Sequence, residues 1–89
     1  MPPNLAHFLQ VESQFGTLLA ACAGVLSNDE TDYIKHFIDA AEYSIALEET
    51  VGTFDQKGVK PTAAIVELIK GLARTMSMDE QRLLDVLPH

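Results

Sequence analysis

The 89-residue chain is predicted to be all-α: a compact bundle of four to five short helices forming a single domain over residues 1–89. Three observations predict it. Apolar residues recur at three- and four-residue intervals along almost the whole chain, the spacing that gathers side chains on one face of a helix. Ser, Asn, Thr and Gly interrupt those runs where helix caps are wanted. No segment alternates apolar and polar residues as a half-buried strand does. With 47% hydrophobic residues the composition is that of a globular protein rather than a disordered one, and a chain this short buries one modest core.

The first helix is expected from about Asn4 to Leu26. Leu5, Phe8, Leu9, Phe15, Leu19, Cys22 and Leu26 fall on one side at 100° per residue, widened by Val11, Leu18 and Val25. The opposite side carries Gln10, Ser13, Thr17, Ala20 and Gly24, without a single charge. That back is expected to face the bundle or a second copy of the chain. Glu12 projects onto the apolar side, which requires a bend or a rim position. Ser27-Asn28-Asp29 offers N-cap residues for a second helix from about Asp29 to Ala41, whose inner side is Tyr33, Ile34, Phe37, Ile38 and Ala41. A third covers roughly Glu42 to Gln56, with Tyr43, Leu47, Val51 and Phe54 as its stripe. No Gly or Pro separates the two, so one bent helix and two helices both satisfy the pattern. Lys57 to Thr62 reads as a loop, because Gly58 can end a helix in the left-handed conformation and Pro61 or Thr62 can start the next. A fourth helix, about Thr62 to Met76, lines up Ile65, Leu68, Ile69, Leu72 and Met76. Ser77-Met78-Asp79-Glu80 has the spacing of a capping box, introducing a short last helix with Leu83, Leu84 and Leu87.

Charge is distributed unevenly. Asp29, Glu30, Asp32, Asp39, Glu42, Glu48, Glu49 and Asp55 stand against Lys35 alone between residues 29 and 55, so the middle of the chain accounts for the whole net charge of −7. Such a field repels nucleic acid and anionic membrane and attracts basic proteins; it also serves solubility alone. Lys57, Lys60, Lys70, Arg74 and Arg82 make the later part mildly basic, but Glu67, Asp79, Glu80 and Asp85 nearly cancel them, and nucleic-acid binding is not expected. The apolar run Phe15 to Leu26 is shorter than the roughly 20 residues of a membrane span. Ala21-Cys22-Ala23 mimics a signal-peptidase site, yet no Lys or Arg precedes the run. Together with the lone Cys22 these features predict a cytoplasmic protein.

A search for chemistry returns no catalytic residues, cofactor or metal site. His7, His36 and His89 lack paired ligand spacing. Cys22 lies mid-helix among apolar residues, where a thiolate is disfavoured. The glycines form no phosphate loop or dinucleotide fingerprint, and Glu42, Glu48 and Glu49 lack the Glu-x-x-His partner of a di-iron site. The chain is therefore expected to act by binding rather than by catalysis.

The most distinctive stretch is Phe37-Ile-Asp-Ala-Ala-Glu-Tyr-Ser-Ile-Ala-Leu-Glu48. It resembles the signature of the Maf-type immunity proteins of bacterial polymorphic toxin systems: an apolar-Ile-Asp pair, a short spacer, then Glu-aromatic-x-apolar-Ala-Leu-Glu. The matching positions are Ile38, Asp39, Glu42, Tyr43, Ala46, Leu47 and Glu48. The later helix around Ile65, Ile69, Leu72, Ala73 and Met76 is similar too, so the resemblance spans about residues 30–80. The spacer departs from the pattern, being Ala40-Ala41 where His-Gly or Asn-Gly is expected. The resemblance implies an antidote that binds and blocks a cognate protein toxin. Many such toxins attack nucleic acid and are basic, which suits an acidic blocker. The expected contact residues are Asp39, Glu42, Glu48 and Glu49, with Asp32 and Asp55 at the rim. The alternative is a small helical accessory subunit or a homodimer formed through the first helix.

Overall fold

The computed structural model describes residues 5–88, all of whose regular structure is helical. Five helices follow one another: α1 (Leu5–Ala21), α2 (Asn28–Asp39), α3 (Tyr43–Lys57), α4 (Ala63–Thr75) and α5 (Glu80–Val86). Helix α2 packs closely on α3 and α1 on α4, while α5 closes the bundle against α3 and α4. Asn4 and His89 lie outside the described residues.

The core is a single cluster. Helix α1 contributes Val11, Phe15, Leu18 and Leu19, followed by Cys22 and Leu26. Ile34 enters from α2, and Ala46, Leu47, Val51 and Phe54 from α3. Ile65, Ile69, Leu72 and Ala73 of α4, then Leu83 and Leu87, complete it. Thr50 is the buried polar residue among them, and its hydroxyl donates to the Ala46 carbonyl at 2.8 Å, so it costs no unpaired group. The Cα radius of gyration, 12.4 Å, matches the value of about 12 Å expected for a folded domain of this length.

Local chemistry explains where the helices stop. Regular helix in α1 ends at Ala21, earlier than the apolar pattern suggests, and hydrogen-bonded turns carry the chain to Leu26. Ala23-Gly24 falls in those turns, and glycine is a poor helix residue. Ser27 caps α2 in a full capping box: its hydroxyl accepts from the Glu30 amide at 3.1 Å while the Glu30 carboxylate accepts from the Ser27 amide at 2.8 Å. Helices α2 and α3 are two elements, divided at Ala41, whose φ is +58°. There the Glu42 amide donates to the Phe37 carbonyl at 2.8 Å and the Ala41 amide to the Ile38 carbonyl at 3.0 Å, the Schellman arrangement that ends a helix. The same pair of bonds closes α3 at Gly58 and α4 at Ser77, whose φ values are +65° and +57°.

That last turn corrects the capping box expected at Ser77. Ser77 is the left-handed residue ending α4, and Asp79 caps α5 by accepting from the amides of Gln81 and Arg82. Glu80 does not reach back to a cap amide; it pairs with Arg74 at 3.1 Å. Of the two residues expected to start α4, Thr62 is the cap, accepting from the Ile65 amide. Glu42 occupies the cap position of α3 without a side-chain hydrogen bond.

Ala41 and Ser77 hold a conformation that costs an L-residue roughly 1–2 kcal/mol and glycine little. Both are exposed, and no side-chain packing is lost on substitution. Ala41→Gly and Ser77→Gly are therefore each expected to raise the free energy of unfolding by about 0.5–1 kcal/mol in urea titrations; unchanged or lowered stability would show that the turns are not held in this form.

Candidate functional site

The exposed carboxylates lie where α2 and α3 turn away from the core. Burying Ala46, Leu47, Thr50, Val51 and Phe54 leaves α3 an outer strip with a flank on either side. Glu48 and Glu49 are adjacent in sequence and so 100° apart on the helix, which sends them to opposite flanks. Glu49 joins Asp29, Glu30, Tyr33, Thr53 and Gln56 around a shallow groove between α2 and α3. Glu48 joins Asp79, Arg82 and Val86 around a hollow of about 260 Å³ between α3 and α5, floored by Val51, Met78 and Leu83. Asp55, two turns after Glu48, shares its flank. Asp32 and Asp39 are also two turns apart and stand on the outer side of α2, both exposed. Glu42 is exposed in the left-handed turn between the helices.

The six residues expected to meet a partner are thus all at the surface or half-buried, but they do not form one continuous face. Asp32 and Asp39 face outward from α2, Glu49 lines the α2–α3 groove, and Glu48 and Asp55 look toward α5. Within the stretch that resembles the immunity signature, Ala46 and Leu47 are core, Ile38 and Tyr43 are half-buried, and Asp39, Glu42 and Glu48 are exposed.

Of the eight carboxylates between residues 29 and 55, Glu30 alone has an ion pair among the described residues, with Lys57 at 2.9 Å. The Ser27 amide, and then Lys57, hold its carboxyl below the ordinary value of 4.5. The other seven are left to solvent or to a partner. Glu12, the one charge on the inner side of α1, sits at the rim and accepts from the Tyr43 hydroxyl at 2.6 Å. That hydrogen bond, aided by burial, pushes Tyr43 up to about 12. The Tyr43 ring lies between Phe8 and Phe15, with centroids 5.9 and 6.3 Å away, and so fastens the start of α3 to α1.

Sequence reasoning missed three participants. Asp79 and Arg82 flank Glu48 although they lie some thirty residues away, and no spacing rule brings them together; the packing of α5 on α3 does. Lys57, counted with the basic second half, belongs to the acidic half as the partner of Glu30.

Among the described residues no group of side chains is placed to hold a metal ion, and no helix is long and apolar enough to cross a membrane. Burial pushes the Cys22 thiol up to about 11, so it stays protonated at neutral pH. Comparison with family models, with curated proteins and with solved structures finds no match to the chain.

A carboxyl whose folded value is depressed stabilises the fold above its unfolded value, and that contribution is lost as pH falls through the folded value. Glu30 is such a group, so Glu30→Gln is expected to reduce the loss of melting temperature on acidification below about pH 4.5. A wild-type acid profile retained by the variant would show that the Ser27–Glu30–Lys57 contacts do not carry it.

Proposed function

We propose that this chain is an immunity protein, an antidote that binds a basic cognate toxin and blocks it by occlusion, in the cytoplasm of a bacterium. The observation that carries the reading is the set of seven carboxylates on α2, α3 and their connecting turn that have no ion pair among the described residues. Unpaired, exposed charge of one sign steers an oppositely charged partner and forms charge-assisted hydrogen bonds once it arrives. The hollow between α3 and α5 adds an apolar floor with a charged rim, the anatomy of an interface hot spot. Inhibition of this kind asks for no catalytic group in the inhibitor.

The turn between α2 and α3 supports the family resemblance. The immunity signature leads one to expect glycine at the second spacer position, where this chain has Ala41, and Ala41 adopts the left-handed conformation that glycine favours. The departure is thus one of residue type at a position whose backbone suits the family's residue.

The other reading, a small helical accessory subunit of a larger complex, rests on the exposed, uncharged back of α1. Capture within a stable assembly that contains no toxin would favour it.

Reversing Glu48 and Glu49 together to lysine is expected to lower the association rate with a basic toxin by roughly tenfold at low salt. The melting temperature is expected to change little, because Glu48 is exposed, Glu49 is half-buried and neither is ion-paired. Stopped-flow binding of the two single variants then assigns the contact to one flank of α3. Binding indifferent to both reversals and to added salt would place the interface elsewhere.

A further inference from the structure

The back of α1 faces solvent. Leu9, Ser13, Gly16, Thr17 and Ala20 are all exposed and none is charged. Leu9 is 59% exposed, the highest value among the exposed large hydrophobic residues. About three turns further along, the same side of α1 opens into a hollow of about 360 Å³ against α2. Gly16, Leu19, Ala20, Ala23 and Leu26 give it apolar walls, and Asn28, Thr31 and Lys35 stand on its α2 side. A projecting leucine and an apolar hollow therefore share one face of one helix, separated by about 16 Å at 1.5 Å per residue from Leu9 to Ala20.

We propose that this face binds a second copy of the chain, with the two α1 helices antiparallel and Leu9 of each seated in the other's hollow. A twofold axis near Ser13 and Gly16 brings both knobs to both holes at once, as an isologous interface requires. Small residues at the crossing let the helices approach closely. The Thr17 hydroxyl donates to the Ser13 carbonyl at 3.2 Å and needs no partner across the interface. Charge selects the same occupant. Two copies of a chain with net charge −7 repel through their α2 and α3 surfaces, whereas the exposed back of α1 carries no charge of its own. The antiparallel register also puts Glu12, the one charged residue of α1, on the same flank as the second copy's Lys35. The surface is separate from the carboxylates of α2 and α3, so dimerisation leaves them free and stands independently of the antidote reading.

Cross-linking in solution tests the register. Leu9→Cys and Ala20→Cys variants, mixed and mildly oxidised, are expected to form a covalent heterodimer, while Leu9→Cys alone does not, its two sulfurs being about 16 Å apart across the axis. Cys22 is buried and does not compete. In sedimentation experiments across a concentration series, Leu9→Asp is expected to weaken self-association by roughly tenfold or more while keeping the wild-type helical circular dichroism. A monomer at every concentration, a dimer indifferent to Leu9→Asp, or ready Leu9→Cys self-cross-linking would each overturn the proposal.

Discussion

Everything else in this fold depends on how α3 is held. Its stripe of Tyr43, Leu47, Thr50, Val51 and Phe54 packs among α1, α2, α4 and α5, with Phe54 and Leu47 fully buried. Removing an aromatic side chain from such a site typically costs about 3–5 kcal/mol, a large part of what a domain of this size has to spare. Because so much of α3 is committed to the core, little of it is free, and Glu48 and Asp55 are among the residues that are. The apolar stripe thus decides which carboxylates reach solvent and that Glu48 and Glu49 part to opposite flanks.

The turns on either side of α3 complete the constraint. Ala41 and Gly58 both take left-handed conformations and close hydrogen bonds back onto the preceding helix. The first turns the chain sharply enough for α2 to lie along α3, and the Glu30–Lys57 pair joins the start of α2 to the end of α3. Such a pair between half-exposed groups contributes modestly. Its consequence is mainly electrostatic: it neutralises one carboxylate and leaves the others as a field directed outward.

Much of this was legible in the sequence, because helices announce themselves through periodicity and caps. The all-helical class, the helix start at Pro61 or Thr62 and the glycine stop at Gly58 all follow from local chemistry. The break at Ala41 did not, since alanine has no preference for a left-handed backbone and only the packing of α2 on α3 imposes it. Ser77 misled for a related reason. A Ser-x-x-Glu spacing reads as a capping box wherever it occurs, but here the serine serves the helix before it and the true box is Ser27–Glu30. Phe8 and Leu9 extend the apolar side of α1 on paper, yet they stand beyond the reach of the core and are exposed.

The acidic residues were legible as a list and not as a surface. Charge counts along the chain say where carboxylates concentrate, whereas their grouping depends on which neighbours each helix flank meets. Glu48 with Asp79 and Arg82, and Glu49 with Asp29 and Tyr33, are groupings that only the tertiary arrangement produces.

The central claim, that the carboxylates of α2 and α3 draw in and contact a basic protein, is tested most directly by capturing partners from cells that naturally express the chain. A tagged copy would be washed through a series of increasing salt and the bound proteins identified by mass spectrometry. Recovery of a basic, toxin-like protein that salt progressively releases is the predicted result. Recovery of the chain alone, or of an assembly whose retention is insensitive to salt, would contradict it.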